Sequence, residues 1–341
     1  MNGNIKLSIC CITYNHEKFI RQALDGFIMQ KTNFKYEVLI HDDASTDGTR
    51  KIIEEYASKY PEIIKPIYQT ENKFSKGIYV DQVYNWPRIQ GEYVALCEGD
   101  DYWTDMYKLQ KQVDFLDNHP DFTVCFHPVV VYWKDNFNDS TVFPSTELRF
   151  HKTELSFEEL LKHNFIQTNS VVYRWQLKGK ENKFPKDILP CDYFVHLLNA
   201  QNGKIGFLPE VMAVYRKHSA GIWAGCIVTD EWFKKCGIKH IRFYKIMEEY
   251  FHISKHKDKQ IIANRLYEVL YKSKDEKALK EFNELFPAEY KIAKNFRFRN
   301  ILSFGKRIIK KTYKIIYVLI VLILFLLIWI KPSDIQSFFC K

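Results

Sequence analysis

Two dense acidic stretches in this chain have the residue types to do chemistry, and each follows a short apolar run. The run Tyr36-Glu37-Val38-Leu39-Ile40-His41 leads into Asp42-Asp43-Ala44-Ser45-Thr46-Asp47-Gly48-Thr49. The run Tyr93-Val94-Ala95-Leu96-Cys97 leads into Glu98-Gly99-Asp100-Asp101-Tyr102-Trp103. Carboxylates this close repel one another unless a cation, a donor-rich ligand or water offsets them. Asp100 and Asp101, with Glu98 nearby, are hard oxygen donors of the kind Mg2+ or Mn2+ takes, usually one or two carboxylates alongside substrate phosphates. An ion there would screen a diphosphate and help it leave. In the first stretch, a carboxylate fixed at the strand end, such as Asp43, can accept the imide N–H of a base or the hydroxyls of a ribose. Helix capping alone accounts for one or two of these Asp, Ser and Thr residues, not for the whole stretch.

The elements that must position these groups follow from periodicity. Leu7–Thr13 reads as a strand ending at Tyr14-Asn15-His16. A helix carrying Phe19, Ile20, Ala23, Leu24, Phe27 and Ile28 at helical spacing comes next. Strand 36–41, a helix from near Asp47 closed by Pro61, strand 63–68, a helix around Val80–Ile89, strand 93–97 and a helix through Leu109, Val113 and Leu116 continue the rhythm. Strand alternating with helix predicts an α/β fold with a mostly parallel sheet covered on both faces, and ligands collect at the strand ends of such sheets. Downstream, Phe122–Trp133 reads as one long β-rich run, Asn136–Pro144 as loop and Ser170–Tyr173 as a short strand. A helix over Asp192–Ala200 precedes strands at Lys204–Leu208 and Val211–Arg216, and Asp230–Phe286 reads as amphipathic helix. His41 and His127 lie beside strands and read as core or rim residues.

The eight cysteines, at 10, 11, 97, 125, 191, 226, 236 and 340, form no C-x-x-C pair and sit mostly in apolar runs, so reduced thiols of a cytosolic compartment are expected. Lys6–Thr13 is too short for the apolar region of a secretory signal and lacks a cleavage site. The formal net charge of +9 is localised: nine Lys and Arg and no acidic residue lie between Tyr290 and Lys314. This basic run abuts Ile315–Ile330, 16 apolar residues that make a helix about 24 Å long, slightly short of a bilayer core of about 30 Å. A polybasic run against an apolar one is a membrane signature, so a membrane partner is expected and no nucleic-acid partner. If the helix spans, the basic residues before it place the catalytic part in the cytoplasm, at a bacterial inner membrane.

These motifs carry a resemblance. Ser8-Ile9-Cys10-Cys11-Ile12-Thr13-Tyr14-Asn15, then Asp42 to Thr49, then Gly91-Glu92-Tyr93 leading into Glu98-Gly99-Asp100-Asp101 resemble, in order and spacing, the GT-A-fold glycosyltransferases of family 2. The resemblance covers about the first 135 residues and extends more loosely through Thr168-Asn169-Ser170, Asp192-Tyr193 and Tyr215-Arg216-Lys217-His218. It implies a nucleotide-sugar pocket bounded by Thr13, Tyr14 and Asn15, base recognition by Asp43, and Asp100 as the main metal-facing carboxylate. Asp101 would assist at the donor sugar or metal. Glu98 stands where the family has the first Asp of its metal motif, and its longer arm can still reach ribose or metal. The same likeness makes Asp192 the candidate general base, against its alternative as a helix N-cap. Arg216 and His218 project to one face of a β-like run. Arg216 suits the diphosphate through its planar fork and His218 suits the metal as a neutral imidazole.

Together these expectations describe a metal-dependent, inverting glycosyltransferase with Mn2+ or Mg2+ as cofactor and a nucleotide-sugar donor, UDP-linked in preference. The acceptor would be a bacterial surface glycan, free or lipid-linked. Residues 1–228 would form the transferase domain, 229–289 a helical extension, 290–314 a basic juxtamembrane segment and 315–330 a membrane-embedded helix. The alternative is a catalytically inactive, membrane-tethered nucleotide- or glycan-binding protein of the same fold.

Overall fold

The computed structural model describes residues 4–133, 136–145, 153–180, 184–218, 221 and 229–299. The chain forms two compact units, one ending at His256 and the other beginning at Lys257. The first unit is built on an eight-stranded sheet. Its strands are β1 (Ile5–Thr13), β2 (Lys35–Asp42), β3 (Ile64–Tyr68), β4 (Tyr93–Leu96), β6 (Phe122–Phe126), β9 (Glu154–Leu155), β10 (Val172–Arg174) and β11 (Lys204–Phe207). They lie side by side in the order β3-β2-β1-β4-β10-β6-β11-β9. Parallel pairing of β1 with β2 and β4, and of β2 with β3, matches the alternation of strand and helix. Helices α1 (Ile20–Ile28) and α2 (Thr49–Lys59) connect β1 to β2 and β2 to β3, and α3 (Lys108–Asn118) leads into β6. Burial of Leu7, Ile9 and Cys11 together with Ser8 and Cys10 shows β1 covered on both faces, as parallel strands require.

Four local readings of the sequence need correction. The sheet is mixed, because β10 runs antiparallel to both β4 and β6, and β9 antiparallel to β11. The run Phe122–Trp133 is two strands: β6 joins the large sheet, and β7 (Val129–Trp133) joins a second, four-stranded one. The break falls at His127-Pro128, where proline supplies no N–H to continue a ladder. The supposed loop at 136–144 is strand β8 (Asn136–Phe143), paired antiparallel with β7. Its polar composition hid an edge strand whose backbone is paired on one side only. The helix expected at 80–89 is a π-type turn over Asp81–Asn85 followed by a 3-10 turn over Trp86–Arg88, since Pro87 cannot extend an α-helical ladder.

The second sheet brings β5 (Tyr102–Trp103) against β12 (Ala213–Lys217), pairing Val214 with Tyr102 and Ala213 with Trp103. Its order is β5-β12-β7-β8. A buried polar network locks this junction. The Trp103 indole donates to Asn169 O at 2.8 Å, Asn169 Nδ2 donates to Val214 O at 2.9 Å, and Gln112 Nε2 donates to both Cys125 O and Ser170 O at 2.9 Å. The buried Lys108 ammonium donates to Gln112 at 2.7 Å and lies 4.2 Å from the Trp103 ring centre. Burial pulls that lysine down to about 7. These bonds hold the Thr168–Ser170 turn against β5 and β12, which matters for the site.

Helix α4 (Phe157–Lys162) begins at a capping box of Ser156 and Glu159. Helix α5 (Cys191–Ala200) packs on α6 (Asp230–Tyr250) through Tyr193 and Phe243, ring centres 5.2 Å apart. Six described cysteines, Cys10, Cys11, Cys97, Cys125, Cys191 and Cys236, are free thiols. In the second unit, α7 (Lys257–Lys272) and α8 (Glu276–Leu285) precede a helical stretch over 287–299, and Lys259 pairs with Glu289 at 3.0 Å. Among the described residues no helix is long and apolar enough to cross a membrane. The apolar run Ile315–Ile330 and the basic residues from Lys306 to Lys314 lie outside them.

Candidate functional site

The C-terminal ends of β1, β2 and β4 converge: Asp43 N–H donates to Thr13 O and Gly99 N–H to Ile12 O, both at 3.0 Å. At the β2 end the carboxylates are occupied by the chain itself. Asp43 accepts the backbone N–H of Lys73 at 2.8 Å and of Phe74 at 2.9 Å. Asp42 accepts the N–H of Ser45 at 3.3 Å and also its hydroxyl. Asp47 accepts the N–H groups of Thr49 and Glu17 at 3.0 and 3.1 Å. Asn15 clasps the same turn from β1, its N–H donating to Ser45 Oγ at 2.9 Å and its Oδ1 accepting Thr46 N–H at 2.7 Å. It holds φ +55°, a left-handed conformation that asparagine tolerates. Thr13 is buried, while the Tyr14 ring is 42% exposed and open to a ligand.

The β4 end is different. Gly99 packs so tightly that a Cβ would lie 2.7 Å from Thr13 Oγ1 and 2.8 Å from Ile20 Cδ1, so only glycine fits between Glu98 and Asp100. Asp101 accepts the backbone N–H of Arg216 at 2.9 Å, and Arg216 Nε donates to the Asp100 carbonyl. The Arg216 guanidinium also donates to Gln22 at 2.8 Å and lies between the rings of Phe19 and Tyr102, at 4.9 and 4.7 Å. Its Nη2 is buried with no hydrogen-bond partner among the described residues. Asp100 Oδ2 stands 2.9 Å from His218 Nε2 and 3.7 Å from His16 Nε2.

The electrostatics follow from this crowding. Burial pushes Glu98 well up, and Asp100 and Asp192 push further. Asp101 is raised by burial, then by Asp100 and Glu98. Burial acts on Asp100 too, but the imidazoles of His16 and His218 outweigh it and hold the carboxyl below its ordinary value. Burial lowers His16, against the pull of Asp100. The ligand atoms of His16, Asp100 and His218 all lie within 4.8 Å of one another. One carboxylate and two imidazoles this close together are a donor set that fits a divalent cation.

A small hollow opens beside Glu98 and is lined by Tyr79, Asp81 and Thr168. Asp192 lies in the first turn of α5, and the N-cap position is Pro190, so Asp192 does not cap the helix. Its Oδ2 accepts the Thr168 hydroxyl at 2.9 Å. The structure thus groups Glu98, Asp100, Asp101, Arg216 and His218 at one strand end. Thr13 and Asn15 stand beside them, and Asp43 holds the Lys73–Phe74 backbone. His41 and His127 are buried as expected: His41, pulled down to about 4 by burial, stacks on Tyr84 at 4.8 Å. His16 was missed; its only sequence signal was a position three residues beyond Thr13, just past a strand end. Asp81, held up at about 6 by burial, was missed because the turn carrying it read as helix.

Comparison with known proteins places this arrangement. A family model described as glycosyl transferase family 2 matches residues 8–178. An uncharacterized protein of Mycobacterium tuberculosis is 50% identical over 217 residues, 64% of this chain and 60% of that protein. The match therefore spans about 60% of that relative's length. Among solved structures, S. aureus TarS 1-349 in complex with UDP-GlcNAc has a TM-score of 0.53 at 21% identity, over 78% of this chain and 72% of that one. The Pyrobaculum calidifontis mannosyltransferase PcManGT, in complex with GDP-Man and Mn2+, has a TM-score of 0.53 at 17% identity, over 87% and 81%. At these identities the two structures speak for the fold.

Proposed function

The chain belongs to glycosyl transferase family 2, and on that premise we propose that it moves one sugar from a nucleotide-sugar donor to a bacterial surface glycan, free or lipid-linked, with inversion at the anomeric carbon. The carrying observation is the convergence of Asp100, Asp101, Arg216 and His218 at the β4 end, with Asp192 sharing the field of Glu98. A divalent cation, when bound, would offset the charge of the donor diphosphate, with Asp100 and His218 as the residues that would hold it. The mannosyltransferase of this fold, in complex with GDP-Man and Mn2+, supports that reading.

The chain's own residues would divide the remaining work. Arg216 is braced by Asp100, Gln22 and two rings, and its unpartnered Nη2 would meet a diphosphate oxygen. Thr13, Asn15 and the exposed Tyr14 would border the nucleoside. Asp43 orders the Lys73–Phe74 backbone and would use a remaining lone pair for the base. Thr168 engages one oxygen of Asp192, leaving the other to take the acceptor's proton as its oxygen attacks the anomeric carbon. UDP is the preferred nucleotide, in keeping with UDP-GlcNAc in TarS.

Residues 290–330 would attach the enzyme to the cytoplasmic face of a bacterial inner membrane. Phe296 and Phe298 support this, since both are exposed on a helical stretch that also carries Lys294, Arg297 and Arg299. Anchoring would raise the enzyme's local concentration at a lipid-linked acceptor.

The test is calorimetric titration of the full-length protein with UDP, GDP, dTDP and CMP, with and without Mn2+. Metal-dependent binding of UDP is the expected result, and another nucleotide in its place would change the donor but keep the class. Binding of none by the folded protein would remove the transferase reading.

A further inference from the structure

We propose that His16 is a third protein ligand of the divalent cation, making a site of two imidazole nitrogens and one carboxylate oxygen that takes Mn2+ in preference to Mg2+. This rests on the placing of the ion at Asp100 and His218 proposed above. The first argument is distance. His16 Nε2 lies 3.7 Å from Asp100 Oδ2, too long for a hydrogen bond. Ligand atoms about 2.1 Å from one shared ion stand roughly 3 to 3.6 Å apart, so the separation is close to that of two neighbours on one cation. His218 Nε2 completes the group, all three atoms falling within 4.8 Å of one another.

The second argument is how firmly His16 is held. Its carbonyl accepts the N–H groups of Phe19 and Ile20 at 2.8 Å, so it is fixed to the start of α1. Asn15, immediately before it, holds a left-handed turn that is itself clasped to Ser45 and Thr46. Its Nδ1 lies 3.1 Å from Thr13 Oγ1, so one ring nitrogen is engaged while Nε2 faces Asp100. Metal-ligating histidines characteristically have their second nitrogen tied to an oxygen in this way, which fixes ring orientation and tautomer. Against a metal role stands a simple His16–Asp100 ion pair, which would bring donor and acceptor to hydrogen-bond distance, as His218 and Asp100 are at 2.9 Å.

The metal preference follows from the donor set. Mg2+ keeps to oxygen ligands and retains its waters, whereas imidazole nitrogen is accepted more readily by transition metals. Two nitrogens among three protein ligands therefore count against Mg2+.

The probe is Mn2+ alone on the full-length protein, with nitrogen couplings to the bound ion counted by pulsed electron paramagnetic resonance. Wild-type protein should show two histidine nitrogens. His16→Gln should show one, bind Mn2+ at least about tenfold more weakly, and lose part of its preference for Mn2+ over Mg2+. One nitrogen in the wild type, or an unchanged count and affinity in His16→Gln, overturns the proposal. The wild-type count decides even if the variant folds poorly. Asp100→Asn separates this from the underlying reading: wild-type Mn2+ binding there removes the whole metal site, not His16 alone.

Discussion

The two acidic strand ends look alike in the sequence and are opposites in the structure. At the end of β2, Asp42, Asp43 and Asp47 each accept hydrogen bonds from nearby backbone or hydroxyl groups, and the loop they organise is thereby satisfied. At the end of β4, Glu98, Asp100 and Asp101 face one another, and two of the three are pushed up by burial and mutual repulsion. Density of carboxylate does not by itself mark a site. The difference lies in how far the donors that the chain supplies offset the buried charge: at the β4 end the Arg216 N–H and His218 serve Asp101 and Asp100, yet Glu98 and Asp101 stay raised.

Substitutions can break or sharpen this contrast. The largest effect belongs to Asp192→Asn, which should lower kcat by about 10²–10⁴ while nucleotide binding stays at the wild-type level. Loss of binding instead would make Asp192 part of the donor site. Asp43→Ala comes next: with two part-buried backbone N–H groups losing their acceptor, chemical denaturation should register a loss of about 1–3 kcal/mol. An unchanged midpoint there would contradict a scaffold role for the β2 end.

Asp81 should behave in the opposite sense to Asp43. Burial holds it up at about 6, offset in part by the hydrogen bond from Asn85 at 2.7 Å. Because its folded value is raised, its contribution to stability is fully present below the ordinary carboxylate range and is lost as pH rises from about 4 to about 6. Asp81→Asn should therefore flatten that dependence and be more stable at neutral pH by about 2–3 kcal/mol. Denaturant midpoints at four pH values check this, and a destabilised variant with unchanged pH dependence would refute it. The smallest effect is that of Thr168→Val, about tenfold in kcat, with Thr168→Ser restoring the rate. Equal loss in the serine variant would reduce Thr168 to packing.

Much of the first half of the fold was legible because each strand there is a short apolar run closed by turn residues, and each helix carries one apolar stripe. β10 was legible as a strand, but not in direction, since nothing in Val172–Arg174 encodes which neighbours it meets. β8 was hidden by polar residues on an edge, and the turn holding Asp81 by apolar spacing that Pro87 overrides. Within the site, strand ends exposed Asp100 and Asp101 to inspection. The partnership of Asp101 with the Arg216 backbone, 115 residues away in sequence, depends on β5 pairing with β12, and no local pattern announces it. His16 escaped for the same reason: its relation to Asp100 is made by β1 and β4 lying side by side.

The most direct test of the contrast is Mn2+-dependent UDP binding to full-length wild type, Asp100→Asn and Asp43→Asn, measured by calorimetry. The β4 end as the donor and metal site predicts that Asp100→Asn loses the metal-dependent binding while Asp43→Asn keeps its Mn2+ requirement with weaker affinity. If Asp100→Asn binds UDP as the wild type does, and with the same need for Mn2+, the site lies elsewhere and the assignment of the two ends is wrong.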